Sequence, residues 1–509
     1  MAADLLPDNP EKLKQMLLSE RDTVSQKDAE IAQLKQQYQQ ILEQFRLAQQ
    51  KQFGQSSESS SQLGLFNESE QLVEETSPVE QETLSYTRNK PKRKSFPDDL
   101  PRETIIHDID NKACECCGHD LHRMGEEKHE QLELIPASIK VIEHIRPKYS
   151  CRHCEQQGTV VNIKIAPVPP APIPKSMATA SLLSHIITSK YQYALPLYRQ
   201  ETLFKQYGIE LSRKTMSEWM IKSSDLLIPV LQRLKENLLQ QSVIHVDETP
   251  LKVIHEDKAR CYMWVYCTGS DSPDDSPHHQ IPNIVLYDYQ ASRSGQTVCD
   301  YLNDFNGYLQ VDGYPAYNQT AATLVGCLAH ARRLFVEAQK AQVKGKTGKA
   351  DWAISHIRKL YRIESEIKAM SAEEKQRIRQ TQSKPLLDQL KTWLDKSALQ
   401  VPPKSAIGKA IGYSLRQWPK LVRYIENGHL KIDNNRAERA VKPFVIGRKN
   451  WMFSNTASGA NASAILYSLI ETAKSNGLVP FDYIKYLLDE LAKQPDDIDY
   501  LLPWNVGLT

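Results

Sequence analysis

The sequence predicts a multidomain α/β protein, and three features of its 509 residues carry that prediction. Short β-branched and apolar runs predict strands in the middle of the chain. A seven-residue apolar repeat predicts a long N-terminal helix, and two Cys-x-x-Cys pairs predict a metal-bound module. Because 40% of the residues are hydrophobic, the chain can supply at least one large core, and its length fits roughly three to four domains.

Composition limits the cellular setting and the partners. The sequence has no uninterrupted run of about 18 apolar residues and no basic flank before an apolar N-terminal core, so we expect a cytoplasmic protein with neither membrane span nor signal peptide. A net charge of +2 argues against attraction of the whole molecule to nucleic acid. Any DNA-binding face must therefore come from local basic clusters such as 88–94, 332–333 and 448–449, although a solvated surface is the default interpretation of each.

Residues 1–53 are predicted to form a coiled-coil helix. Apolar side chains recur there every seven residues, as the seam of a coiled coil requires. Glu20 and Lys27 fall on the second seam, so a single amphipathic helix packed against its own protein is the alternative. Residues 54–96 are rich in Ser, Gln and Glu and predict a flexible linker. The apolar positions at seven-residue spacing are Leu17, Val24, Ile31, Tyr38 and Phe45.

Residues 97–166 are predicted to form a zinc-binding module. Nine cysteines in a cytosolic chain indicate thiols or metal ligands before disulfides. Each Cys-x-x-Cys turn can place two thiolates on one side of a tetrahedral zinc ion, and alternating apolar residues in 131–135 and 138–145 predict a hairpin between the turns. A redox pair or unrelated free cysteines are the alternative. The predicted ligands of one structural zinc ion are Cys114, Cys117, Cys151 and Cys154, with Cys116, His119 and His153 as substitutes.

A proline-rich linker at 167–177 precedes a predicted helical region at 178–240. Within this region, an apolar helix, a turn at Gly208 and a cap at Ser212 predict a helix-turn-helix whose second helix could enter a DNA major groove. Generic helical hairpins share the pattern, so it leaves DNA contact open. The basic residues at the start of the second helix are Arg213 and Lys214.

Residues 241–345 contain strand and helix signals in the order βββαβ, which is the order of a ribonuclease-H-like core. The composition of 346–430 is mainly helical and predicts an insertion that interrupts this core. Residues 431–475 predict the final part of the core, and 476–509 predict a C-terminal helical tail. The βββαβ segments are 243–254, 261–268, 283–289, 295–304 and 308–311.

Three carboxylates stand out by their local setting. Asp247 and Asp312 each end a strand-like run. Glu438 lies in a helical stretch whose N-terminal cap is predicted to be Asn434 or Asn435. A ribonuclease-H-like core presents its metal-binding acids in this order of strand, strand and helix. Two Asp and one Glu can hold two Mg²⁺ or Mn²⁺ ions for phosphoryl transfer. Two carboxylates about 4 Å apart repel by roughly 4 kcal/mol at an effective dielectric of about 20, so a converged triad indicates a metal site.

Two neighbouring acids compete with this triad. Glu248 follows Asp247 directly, and successive strand residues face opposite sides of a sheet, so we expect Glu248 to lie outside the site. Asp433 is expected in the turn before the helix. We therefore predict that replacing Glu248 or Asp433 by its amide leaves substantial catalytic activity.

Several basic residues lie near the acids in the sequence or in basic clusters, and they are candidates for phosphate contacts on DNA. A packed histidine or solvated helix charge is the simpler interpretation of each. These candidates are His330, Arg333, Arg436, Arg439, Arg448 and Lys449.

Five phrases resemble the large DDE transposase family of insertion-sequence-66-type elements. The most specific one runs from Asn434 to Phe453 and includes the candidate Glu438. Lys442 and Met452 stand where the family pattern leads us to expect Arg and Leu, and these departures leave the assignment of the acids intact. The resembling segments are 53–58, 97–103, 195–201, 327–330 and 434–453.

The resemblance implies a DNA transposase. Such an enzyme hydrolyses strands at the ends of its element and then joins the released 3′-hydroxyl to target DNA, with two Mg²⁺ or Mn²⁺ ions in one site. It also implies a homo-oligomer, at least a dimer, on paired DNA ends and accessory proteins encoded by the element. The alternatives are a nuclease or resolvase without strand transfer, and a zinc-containing DNA-binding regulator with an inactive core.

Overall fold

The chain divides into two compact units, one formed by Met1–Thr76 with Pro167–Thr509 and the other by Ser77–Ala166. Their structures are taken from a computed structural model. The residues that it describes are 9–53, 101–106, 129–132, 138–150, 163–258, 260–271, 273, 282–342 and 348–507.

The N-terminal segment is one long helix, α1 (Pro10–Phe53). Its seven-residue apolar positions face solvent, with Leu17 65% exposed. Near its C-terminal end, the Glu43 carboxylate accepts a hydrogen bond from the backbone N–H of Ala406 (3.2 Å). The predicted helix is therefore present, and pairing of its exposed apolar row with a second helix stays a prediction.

The second unit is described in part. Strands β1 (Lys148–Tyr149) and β2 (Lys164–Ile165) form a short antiparallel pair. The strand predicted over 138–145 is wrong, because these residues form no strand and Val141 is 94% exposed. An alternating pattern makes a strand only where a partner accepts its backbone hydrogen bonds. All four predicted zinc ligands lie outside the described residues.

Three helices open the remainder of the first unit: α2 (Ala180–Tyr191), α3 (Leu197–Gln206) and α4 (Arg213–Leu239). A turn through Gly208 (φ 74°), whose positive φ suits glycine, separates α3 from α4. The Ser212 hydroxyl caps α4 by accepting the Thr215 N–H (3.1 Å). The predicted pair of helices joined by a turn is confirmed. One face of α4 is buried in the main core, and the opposite face is exposed from the first turn to Glu236.

A five-stranded sheet forms the centre of this unit. Strands β3, β4 and β5 make an antiparallel meander, helix α5 (Gly295–Leu302) follows, and β6 and β7 pair in parallel beside β3. The strand order is therefore β5-β4-β3-β6-β7, and the predicted βββαβ sequence is confirmed. The strand bounds are β3 (Val243–Leu251), β4 (Cys261–Thr268), β5 (Ile284–Gln290), β6 (Tyr308–Gln310) and β7 (Thr323–Val325).

A helical segment separates β7 from the last helices, as predicted. It packs around a second hydrophobic cluster that includes Phe335, Leu360 and Leu394. Within it, the buried guanidinium of Arg379 pairs with Glu364 (2.6 Å). Its helices are α6 (Leu328–Lys340), α7 (Lys349–Glu366), α8 (Ala372–Ile378), α9 (Lys384–Ala398) and α10 (Ala406–Leu421).

The chain then returns to the sheet through α11 (Asn435–Trp451), α12 (Ala457–Ser475) and α13 (Pro480–Leu491). Helix α12 covers the edge strand β5, where the Ser468 and Thr472 hydroxyls accept the N–H groups of Tyr287 (2.7 Å) and Val285 (3.0 Å). These side chains satisfy edge groups that would otherwise lack partners. Across the described ranges, no helix is long and apolar enough to cross a membrane.

Candidate active site

Asp247 lies on β3, on the face that packs against α11. Two alternate residues of the same strand contact that helix and the residue before it: His245 bonds Asn434 (3.1 Å), and Thr249 accepts a hydrogen bond from Arg448 (3.3 Å). The Asp247 carboxylate accepts the backbone N–H of Glu248 (2.9 Å). Burial, followed by the charges of nearby carboxylates, raises the pKa of Asp247 well above its usual range.

Asp312 follows β6 in a tight turn. The backbone N–H of Tyr314 donates to its Oδ1 (2.8 Å), which fixes the carboxylate relative to the end of the strand. A Cβ at Gly313 would lie 2.8 Å from the ring of Tyr413, so glycine permits this close approach. The Asp-Gly-Tyr phrase thus holds the second acid at the carboxyl end of β6, next to β3.

Glu438 lies in the first turn of α11 and is only 3% exposed. Its Oε2 is 3.3 Å from Nη2 of Arg333, and its Oε1 is 3.4 Å from Nδ1 of His330. Burial raises the pKa of Glu438 to about 7, with the charges of Asp433 and Asp312 adding to the rise and Arg333 opposing it. The third acid is therefore buried among charged groups.

The three acids interact through their charges, although in the described residues their oxygens do not all lie within 4.8 Å of one another. The charges of Glu438 and Asp312 both contribute to the raised pKa of Asp247, behind burial and Glu248. Oε1 of Glu438 is also buried without a hydrogen-bond partner in the described structure. Clustered carboxylates with an unsatisfied buried oxygen fit hard divalent cations, which neutralise the repulsion and bind oxygen. Asp247, Asp312 and Glu438 are thus the residues that could hold Mg²⁺ or Mn²⁺.

Asn434 joins the elements that carry two of these acids. Its side-chain amide donates to the Val246 carbonyl (2.8 Å), its Oδ1 bonds His245, and its backbone N–H donates to Cys327 Sγ (3.2 Å). Burial lowers the pKa of His245 to about 3, so its ring is neutral in this contact. Asn434 precedes α11 but makes no side-chain cap. Instead of capping, it fixes the start of α11 against β3.

Glu248 faces the opposite side of β3, as predicted, and its side chain is 2% exposed. Arg293 pairs with this carboxylate, donating through Nε (2.8 Å) and Nη2, and the Tyr317 hydroxyl donates to its other oxygen. The sequence did not identify Arg293, which lies in a loop, or Tyr317, which lies in a short 3₁₀ helix (Pro315–Gln319), because neither segment has a periodic signal. A buried carboxylate with these donors is a structural anchor.

The Glu248 anchor continues to the turn that holds Asp312. The Arg293 guanidinium lies 3.6 Å from the centre of the Tyr314 ring, and the Tyr314 hydroxyl donates to the Arg293 carbonyl (2.7 Å). Since the Tyr314 N–H bonds Asp312, these contacts link the position of the second acid to β3. We call Glu248, Arg293, Tyr314 and Tyr317 the anchor cluster.

Asp433 lies in the turn before α11, as predicted. Its carboxylate accepts hydrogen bonds from the backbone N–H (3.1 Å) and the side-chain amide (3.0 Å) of Asn435. It influences the site through its charge, which is one cause of the raised pKa of Glu438.

Comparison with known proteins identifies the family. The family model described as "Transposase IS66 family" matches residues 175–462, more than half of the chain. The chain belongs to the IS66 family of transposases. Three further IS66-related models match: the zinc-finger binding domain of transposase IS66 (111–155), Transposase C of IS166 homeodomain (40–105) and the IS66 C-terminal element (468–504). The zinc-finger match contains all four predicted cysteine ligands.

Relatives of this IS66-family chain occur in Sinorhizobium fredii (strain NBRC 101917 / NGR234). The uncharacterized protein y4jD is 36% identical over 428 residues, covering 81% of each chain. The uncharacterized protein y4hP is 32% identical over 441 residues, covering 82% of this chain and 78% of its own. No solved structure matches.

The predicted DNA contacts of this IS66-family chain fall into two groups. Arg213, Lys214 and Lys449 are exposed, and Arg448 is half-buried where it bonds Thr249. These positions are open to a phosphate backbone.

The residues of the other group contact carboxylates of the same chain. Arg436 is only 6% exposed and pairs with Asp271 (2.7 Å), so its position does not support the predicted phosphate contact. The sequence around Arg436 predicted only a charge on a helix surface, and it did not reveal that Asp271 in the β4–β5 loop is its partner. Arg439 pairs with the same carboxylate (2.6 Å), while His330 and Arg333 lie beside Glu438.

Proposed function

We propose that this IS66-family chain is a metal-dependent DNA transposase that cleaves strands at element ends and transfers the 3′-hydroxyl to target DNA. Membership of a transposase family supports DNA transposition in general. The observation that supports the catalytic assignment is the effect of the Asp312 and Glu438 charges on Asp247, with the three acids carried by β3, the β6 turn and α11.

The three acids would hold two Mg²⁺ or Mn²⁺ ions. When bound, such ions activate an attacking water or hydroxyl and stabilise the leaving oxygen of a phosphate. Asp247 and Glu438 would hold the metal as carboxylates, and a bound cation would offset the burial and carboxylate repulsion that raise their pKa values. Arg333 holds one oxygen of Glu438 and directs positive charge towards the site.

We further propose that β3 to β7 form a ribonuclease-H-like core. The antiparallel meander, the following helix and the parallel strands support this assignment, as does the return of the third acid on a helix after the insertion. Asp247 then lies on the central strand β3, and Asp312 and Glu438 lie on elements that contact it.

The zinc module and α1 would serve assembly on DNA. We propose that Cys114, Cys117, Cys151 and Cys154 bind one structural zinc ion, which the zinc-finger family match supports. Metal analysis of the full-length protein should give one tightly held zinc per chain, and replacing all four cysteines by Ser should abolish it. The exposed apolar row of α1 supports self-association into at least a dimer.

One experiment tests the proposed function. Purified protein is incubated with Mg²⁺ and DNA carrying the ends of the element that encodes it. Transposition predicts joined products with target DNA. Cleavage without joining would indicate a nuclease or resolvase, and binding without cleavage would indicate a regulator with an inactive core.

A further inference from the structure

Two buried polar atoms beside the catalytic cluster face each other without a hydrogen-bond partner. They are Nδ1 of His330 and Oε1 of Glu438. The two atoms are 3.4 Å apart. Buried polar atoms are normally hydrogen-bonded, so two that lack partners and face each other call for an explanation.

The separation of these atoms suits a shared metal ion better than a hydrogen bond. An N–H···O bond normally spans about 2.7 to 3.2 Å, which is shorter than the observed distance. Two ligand atoms each about 2.1 Å from one ion lie about 3.0 Å apart at a right angle and about 3.4 Å apart at a tetrahedral angle. One ion between His330 and Glu438 would therefore satisfy both atoms without moving either element.

Cys327 is the third possible ligand in this cluster, since its Sγ lies within 4.8 Å of the other two ligand atoms. Its sulfur, however, accepts the backbone N–H of Asn434 (3.2 Å) and a backbone hydrogen bond from His330. Cys327 is also the residue at the N-terminal boundary of α6. Its contacts assign it to holding α6 and α11 together rather than to metal binding.

Helix α6 aims two side chains at the two oxygens of Glu438. His330 and Arg333 are three residues apart, so they share one face of the helix. Arg333 takes Oε2, which leaves Oε1 for the position next to His330. The pairing orients the carboxylate so that its free oxygen and the imidazole converge on one point.

We propose that His330 is a metal ligand that binds, through Nδ1, the same divalent ion as Oε1 of Glu438. This assignment rests on the proposed function and deepens it, because it adds a nitrogen donor to a site of three carboxylates. It replaces the predicted phosphate contact of His330. A nitrogen ligand favours Mn²⁺ relative to Mg²⁺, since imidazole suits transition metals whereas Mg²⁺ prefers oxygen.

The test measures the ligand atoms directly. Full-length, zinc-loaded protein is titrated with Mn²⁺ and studied by electron spin-echo envelope modulation, which detects nitrogen bound to Mn²⁺. We expect a ¹⁴N coupling in the wild type that disappears in His330→Ala and His330→Gln, with Mn²⁺ affinity weaker by on the order of 10- to 100-fold. His429→Ala, at an exposed histidine, is the matched control and should keep the coupling.

The outcomes separate the ligand proposal from the proposed function. If Mn²⁺ binds the wild type without ¹⁴N coupling, or if the coupling persists in both His330 variants, His330 is not a ligand and the carboxylate site stands. If the wild type binds no Mn²⁺ and Asp247→Asn changes nothing, the proposed function itself fails. Circular dichroism melting shows whether each variant folds. If one His330 variant does not fold, the ¹⁴N coupling of the other His330 variant tests the proposal.

Discussion

Asp247 and Glu248 are adjacent carboxylic acids on β3 and both are largely buried, yet their surroundings differ in kind. Asp247 faces α11 and is acted on by the charges of Glu248, Glu438 and Asp312. Glu248 is acted on by the charge of Asp312 as well, but Arg293 and Tyr317 donate hydrogen bonds to its carboxylate. A buried carboxylate surrounded by donors stabilises a fold, while one surrounded by carboxylates requires a cation. The difference separates an anchor from a metal ligand at neighbouring positions.

The comparison predicts its largest effect for the three clustered acids. Asp247→Asn, Asp312→Asn and Glu438→Gln each remove a charge without changing side-chain size. Each should lower cleavage and joining by at least on the order of 10³-fold, since several kcal/mol of transition-state stabilisation depend on the metals. DNA binding, measured by mobility shift, should survive or tighten as repulsion of phosphate falls. Normal strand transfer by Glu438→Gln would remove it from the site.

Substitutions in the anchor cluster should mainly lower the free energy of unfolding. Arg293→Met leaves Glu248 charged, buried and unpaired, and should cost about 3 kcal/mol in the free energy of unfolding by urea. Glu248→Gln should cost about 1 to 2 kcal/mol, because Arg293 is 37% exposed and can be hydrated. The double variant should be more stable than Arg293→Met alone. Equal costs for both single variants would contradict a buried charge at Glu248.

The expectation that Glu248→Gln leaves substantial activity, because Glu248 faces away from Asp247, stays a prediction. Glu248 does face away, but the anchor cluster links it to the turn of Asp312. We therefore expect a partial loss of cleavage, smaller than that of any metal-ligand variant.

The pH dependence of stability sharpens the same contrast. The folded-state pKa of Glu438 is about 7, above its unfolded value of about 4.3. Without divalent ions at this site, Glu438 thus contributes stability below about pH 4.3 that is lost as the pH rises through about 7, on the order of a few kcal/mol. Urea unfolding at about pH 5 and pH 7.5 should show a fall that is smaller in Glu438→Gln or with saturating Mn²⁺. Identical falls in wild type and variant would refute the raised pKa.

The smallest effect is expected at Asp433. Asp433→Asn keeps an acceptor for the Asn435 N–H and removes one negative charge that raises the pKa of Glu438. Cleavage should stay within about tenfold of the wild type, and metal binding should persist to slightly lower pH. A loss as large as that of Glu438→Gln would make Asp433 a ligand candidate.

Patterns along the sequence predicted much of the fold around the site. Strand alternation gave the opposite faces of Asp247 and Glu248, and the order of signals gave βββαβ with a helical insertion. The pattern could not show what occupies each face, because Arg293 and Tyr317 reach Glu248 from segments that are distant in the sequence. Local sequence patterns cannot predict a side chain's contact partner when that partner lies far away along the chain.

Two other residues illustrate that limit. Asn434 has the sequence setting of a helix cap, but its side chain contacts β3, which no local rule encodes. Arg436 resembles a surface helix charge, yet it is buried against Asp271 in the β4–β5 loop. Long-range contacts decided the role of both side chains.

Binding of Mn²⁺ to two adjacent amide variants tests the central claim most directly. Isothermal titration of zinc-loaded, full-length protein compares Asp247→Asn with Glu248→Gln. We predict that Asp247→Asn weakens Mn²⁺ affinity by at least on the order of 100-fold, and that Glu248→Gln weakens it by about tenfold or less. Wild-type affinity in Asp247→Asn, or an equal loss in Glu248→Gln, would contradict the division of β3 into a metal-binding face and an anchoring face.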